Sequence, residues 1–136
     1  MLKAIVIDSS AIARGLLCTM LSNAGYDVCA TSHTSAQGLA LLIKHQPQLT
    51  CIAREQVEES NDVVRSIRQA CPKTLIFMMT SGIDAATLQA ALAAGVNAFM
   101  IKPFNANTVL KTIRNTVIAT VRKQQAASTG LSGNAR

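Results

Sequence analysis

Short apolar runs alternate along this chain with stretches in which apolar residues recur every three or four positions, the signature of strands and amphipathic helices taken in turn. Lys3 to Ile7 predicts a first strand. After Asp8, the pair Ser9-Ser10 supplies a helix N-cap, Ile12, Leu16, Leu17, Met20 and Leu21 recur at helical spacing, and Gly25 is a C-terminal stop. Asp27 to Thr31 predicts a second strand, and Leu39, Leu42 and Ile43 line a helix that Pro47 ends. Leu49 to Ala53 is a third strand, and Val63, Val64 and Ile67 mark a helix closed by Cys71-Pro72. The unbroken run Leu75 to Met79 is what a central parallel strand looks like, because both of its faces are buried. A helix capped by Asp84 and rich in Ala and Leu runs to Ala94, Gly95 stops it, and Val96 to Ile101 is a fifth strand. Lys102-Pro103-Phe104 breaks the chain, and Asn105 or Asn107 caps a last helix carrying Leu110, Ile113, Val117 and Val121. Five strands and five helices in strict alternation predict an α/β domain with a five-stranded parallel sheet between helical layers.

With 136 residues, 49% apolar and 15% charged side chains, the chain makes one domain with a full core and is too apolar for disorder. No apolar run approaches the roughly 20 residues of a membrane helix. The apolar stretch ending at Asp8 is also too short for a secretory core, so a cytoplasmic protein is expected. Cys18, Cys29, Cys51 and Cys71 form no C-x-x-C pair and are expected to be reduced packing residues. From about Lys123 the composition loses periodicity, which predicts a domain over residues 1–122 and a flexible tail over 123–136. All seven acids lie at or before Asp84. The segment after it carries Lys102, Lys111, Arg114, Arg122, Lys123 and Arg136 with no acid, so the net charge of +6 belongs to the C-terminal part.

In an open parallel sheet the functional site lies beyond the carboxyl ends of the strands. That rule selects Asp8 and Ser9, then Ala53 with Arg54 and Glu55, then Thr80 and Ser81, and finally Lys102. No glycine-rich phosphate loop follows any strand, and no nucleophile–base pair or acid dyad is visible, which argues against an enzyme.

These strand-end residues, in this order, resemble the receiver domain of bacterial response regulators over about residues 1 to 122. The resemblance is carried by Ile5-Val6-Ile7-Asp8-Ser9-Ser10 with Arg14, by Gly38-Leu39-Ala40-Leu41-Leu42, by Met79-Thr80-Ser81, and most specifically by Ala94 through Phe104 with its Lys102-Pro103. It implies a flavodoxin-like (βα)5 fold, a doubly wound sheet in three layers, and a cis Lys102-Pro103 bond. Receiver chemistry, as the family is understood, uses two acids after the first strand and an acceptor aspartate at the end of the third. Mg²⁺ wants such hard oxygen ligands, and the acceptor must be a nucleophilic carboxylate.

This chain keeps Asp8 but has Ser9 in the second acidic position, and the run Pro47 to Ile52 puts Ala53 in the acceptor position. The resemblance therefore implies a degenerate pocket of Asp8, Ser9, Ala53, Glu55, Thr80, Ser81 and Lys102. No cofactor is expected, with at most weak Mg²⁺ at Asp8. A register shifted by two would bring Glu55 to the acceptor position instead. Lys102 is expected to pair with Asp8 or Glu55. Thr80 and Ser81 act either as switch residues or as a simple turn, and Phe99 stands where the family has a rotating aromatic residue but equally suits plain packing.

The function this predicts is a stand-alone atypical receiver, a phosphorylation-independent interaction module of two-component or chemotaxis-like signalling. Its partners would be signalling proteins such as a histidine kinase or another receiver. The helix before the fifth strand, that strand and the last helix form the expected interface, with Phe99, Lys111 and Arg114, and this face is also open to a homodimer. A phosphoacceptor regulator using Glu55 and a basic nucleic-acid binder are the alternatives. The scarcity of aromatic residues, at 3%, argues against the latter.

Overall fold

The computed structural model describes the backbone of residues 1–59 and 62–134, and side chains as far as residue 58 and from 62 to 126. Its elements are β1 (Lys3–Ile7), α1 (Ala11–Asn23), β2 (Asp27–Ser32), α2 (Ser35–His45), β3 (Leu49–Ala53), α3 (Arg54–Glu59), α4 (Val63–Ala70), β4 (Leu75–Thr80), α5 (Ala85–Ala94), β5 (Ala98–Ile101) and α6 (Ala106–Asn134). The strands are all parallel in the order β2-β1-β3-β4-β5, the flavodoxin-like arrangement.

Alternation along each strand builds two cores. Ala4 and Val6 of β1, Leu49 and Cys51 of β3, and Phe77 and Met79 of β4 pack under α1 and α6 against Leu17, Leu21, Val109 and Ile113. Ile5 and Ile7, Ile52, and Ile76 and Met78 pack on the opposite face against α2, α4 and α5. Thr50 is the polar exception in β3, and its hydroxyl is satisfied by Thr74 Oγ1 at 2.8 Å. All four cysteines are free, and complete burial pushes the Cys51 thiol up to about 12, so it serves as an inert hydrophobe.

Helix starts follow the expected caps. Ser10 Oγ accepts from Ala13 N at 3.2 Å, and Asp84 Oδ1 accepts from Thr87 N at 2.7 Å, which holds the Asp84 carboxyl below its ordinary value. Asn105, not Asn107, caps α6 through Thr108 N at 3.1 Å. α2 ends without a glycine. Gln46 takes the left-handed conformation at φ 46°, and its Nε2 donates to Ile43 O and Ala70 O at 3.2 and 3.0 Å.

The structure differs from the sequence reading in five elements. Residues 54–59, which the sequence reading assigned to no element, are helical, so the described residues contain six helices; Ser60 and Asn61 lie outside them. The Arg54–Glu58 pair at 2.6 Å and the buried Gln56 account for this turn of helix. β2 and β4 run one residue further than read, and β5 starts at Ala98. α6 crosses the boundary placed at residue 122 and continues to Asn134, a span of about 43 Å. From Val121 to Ala126 its side chains are exposed, so good helix formers rather than packing carry it there. Arg136 lies outside the described residues.

Gly38 sits where α2 crosses β1. A Cβ there would meet Ile7 Cδ1 and would lie 2.8 Å from Ile7 Cγ1. Gly38→Ala gains about 1 kcal/mol of helix propensity but overpacks a filled site at a cost of about 1–3 kcal/mol, so a lower urea midpoint is expected. Ile7→Val, which removes Cδ1, should cost about 1 kcal/mol in the parent chain and clearly less in the Gly38→Ala background.

Candidate functional site

The register of the sheet decides what meets at its carboxyl edge. Ile7 pairs with Ile52, Ala53 with Met79, and Thr80 with Ile101, so Asp8, Ala53, Thr80 and Lys102 come to one end of the three central strands and β5. Asp8 is 1% exposed. Its Oδ2 accepts from Lys102 Nζ and its Oδ1 from Ser10 N, both at 2.9 Å. Its backbone is fixed as well, since Asp8 N donates to Ser32 O at 3.0 Å and Asp8 O accepts from Arg14 Nη1 at 2.7 Å. The carboxylate is therefore neutralised by one partly exposed ammonium and locked in place.

The other candidates divide around this pair. Ala53 is fully buried at the end of β3 and presents only a methyl group. Thr80 is buried, and its hydroxyl donates to Gly82 O at 2.7 Å while accepting from Gly82 N at 3.3 Å, closing the turn after β4. Ser9 and Ser81 are exposed. Glu55 is exposed in the first turn of α3 and makes no hydrogen bond or ion pair among the described residues, so Lys102 pairs with Asp8 and not with it. Phe99 is half-buried against the α2–α4–α5 core. Lys111 and Arg114 lie exposed on α6. The Lys102-Pro103 bond is cis, as the resemblance implied.

Gln56 escaped the sequence reading at this end, and Arg54, selected there as a strand-end residue, was given no partner. Gln56 is buried, accepts from Ser35 N at 2.8 Å and donates to His33 O at 3.1 Å, tying α3 to the β2–α2 turn. Arg54 donates to Glu58 Oε1 at 2.6 Å and to Gly82 O at 2.7 Å. Their signal was available only as polar residues inside an otherwise featureless polar run.

A divalent cation of the Mg²⁺ type needs several hard oxygen donors. Here the cleft offers one carboxylate, already engaged by Lys102 and Ser10, beside a methyl group. Among the described residues no three His, Cys, Asp or Glu side chains converge. The donor set does not fit such an ion.

A flavodoxin-like sheet with an acid after β1, a hydroxyl after β4 and a lysine before a cis proline after β5 defines a signalling module of the receiver class. The chain belongs to the response regulator receiver domain family, whose model matches residues 4–114. It is 25% identical over 116 residues to the chemotaxis protein CheY of Bacillus subtilis (strain 168), covering 85% of this chain and 97% of that protein. It is 24% identical over 115 residues to the transcriptional regulatory protein LnrK of the same organism, covering 83% of this chain but only 52% of that protein. Among solved structures it is similar to the chemotaxis response regulator CheY4 of Vibrio cholerae, at 25% identity and a TM-score of 0.76, covering 85% of this chain and 98% of that one. A response regulator from Thermotoga maritima, at 19% identity and a TM-score of 0.78 with 86% and 98% covered, shares the fold. No helix among the described residues is long and apolar enough to cross a membrane.

Proposed function

We propose that this chain is a pseudo-receiver: a cytoplasmic interaction module of two-component or chemotaxis-like signalling that works by contact, without aspartyl phosphorylation. The observation that supports this best is Ala53, a fully buried methyl group at the end of β3 beside an Asp8 carboxylate already neutralised by Lys102. A methyl group cannot accept a phosphoryl group, and one engaged carboxylate gives a divalent ion little to hold. Glu55, the offset acceptor the sequence left open, stands exposed on α3 and apart from that ion pair.

The face suited to a partner combines α5, β5 and α6. Leu92 and Ile101 are exposed there, and a groove of about 380 Å³ runs between β5 and α6, lined by Phe99, Ile101, Lys102, Thr108 and Thr112. Lys111 and Arg114 add positive charge on α6, and α5–α6 as described carries no acid, so an acidic surface on a kinase or another receiver would be drawn to it. A second copy of the chain could use the same face.

Titrating the protein with millimolar Mg²⁺ while following amide chemical shifts tests the site. Asp8, Ala53 and Lys102 are expected to show no saturable shift. Saturation at those three amides would contradict the proposal.

A further inference from the structure

We propose that Arg54 is a built-in latch that holds the β4–α5 turn, residues 81–83, in one position, so that the α5 end of the partner face is set without a phosphoryl signal. That regulatory meaning rests on the pseudo-receiver reading, whereas the contact itself does not. Arg54 opens α3 directly after Ala53, and its guanidinium spans two elements. Nε donates to Glu58 Oε1 at 2.6 Å within α3, and Nη1 reaches 28 positions along the chain to donate to Gly82 O at 2.7 Å.

The same Gly82 carbonyl accepts from Thr80 Oγ1 at 2.7 Å, so it is gripped by the end of its own strand and by the helix that follows the neighbouring strand. Packing holds this turn only at its end, where Ile83 is half-buried. Ser81 and Gly82 are exposed, and a Cβ on Gly82 would meet nothing within 4 Å. At Ser81 and Gly82 hydrogen bonds therefore set the position, and the charge-assisted one from Arg54 is the stronger kind. The position is passed on at once, because Asp84 caps α5 through Thr87 N at 2.7 Å and its carbonyl accepts from Leu88 N at 3.0 Å.

The side chain suits the task. Arg54 is 28% exposed and lines a groove of about 250 Å³ with Val57, Val64, Met78 and Ala91, so its stem is supported while its head reaches the turn. A planar guanidinium can hold Glu58 and Gly82 together, whereas a lysine ammonium offers no such fork. The Thr80 hydroxyl, engaged with Gly82, is not available to a ligand above Ala53 in this arrangement.

Native-state amide exchange on the full chain tests the latch. Arg54→Ala is expected to speed exchange at Gly82, Thr87 and Leu88 by about tenfold, while Asp8 and Gly38, whose amides bond to Ser32 O and Thr34 O, keep their rates. Arg54→Lys should fall between, and Glu58→Gln, which keeps an acceptor for Nε, should stay close to the parent. Unchanged rates at Gly82, Thr87 and Leu88 in Arg54→Ala would overturn the proposal. So would an equal rise at Asp8 and Gly38, which marks general loss of stability, or full protection in Arg54→Lys. Phosphorylation of the parent chain, the failure of the functional reading, would appear as a mass increase and leave these rates in the unphosphorylated protein as they are.

Discussion

Lys102→Ala is expected to lower the unfolding free energy by about 3 kcal/mol, the low end of what breaking a buried ion pair costs. The carboxylate left behind is 1% exposed and would keep only the Ser10 amide as a donor. The low end applies because the Lys102 side chain is 22% exposed and water already screens part of the attraction. Asp8→Asn should cost less, since the amide oxygen still accepts from Ser10 N and the unpaired ammonium keeps its access to water. The double variant Asp8→Asn/Lys102→Met, which removes both charges, should recover most of the Lys102→Ala loss. Urea unfolding of the four chains checks this, and a Lys102→Ala midpoint equal to the parent's would show that the pair carries no structural weight.

The second large effect is a gain. Ser9→Asp/Ala53→Asp places two further carboxylates beside Asp8, and without metal their mutual repulsion and the burial at position 53 should destabilise the fold strongly. With Mg²⁺ present the three acids supply the oxygen ligands such an ion requires, and binding to the native state alone stabilises by mass action. The unfolding midpoint of the double variant should therefore rise with Mg²⁺ concentration, whereas that of the parent should not. A midpoint that ignores Mg²⁺ in the variant would mean that the cleft fails as a metal site for reasons beyond its missing acids.

The central strands were legible because burial on both faces leaves a mostly apolar run, broken in β3 only by Thr50, and Lys3–Ile7 and Leu49–Ala53 needed no revision. The caps at Ser10 and Asp84 were legible because a short polar side chain before a helix has one obvious use. What the sequence left open was whatever depends on side chains reaching across the fold. Lys102 had two acids to choose from, and only packing brings it to Asp8, 94 positions away. Arg68 gave no sign that it would donate to Pro72 O, Thr74 O, Gly95 O and Asn97 Oδ1, with burial lowering its pKa, and so staple the opposite end of the sheet. α3 was missed because its buried residue is the polar Gln56, so no apolar period announces it. The course of α6 past residue 122 was missed because from Val121 to Ala126 no buried stripe marks it, and straight-chain helix formers such as Arg122, Lys123, Gln124 and Gln125 carry it there.

The measurement closest to the central claim is the intact mass of the parent chain after incubation with acetyl phosphate and Mg²⁺, run beside Ser9→Asp/Ala53→Asp. In the variant, the carboxylate introduced at position 53 would attack phosphorus and release acetate, and a single phosphoryl adduct at that position is expected. The parent should show none. One stoichiometric adduct on an acidic side chain of the parent, at Glu55 or elsewhere, would contradict the account.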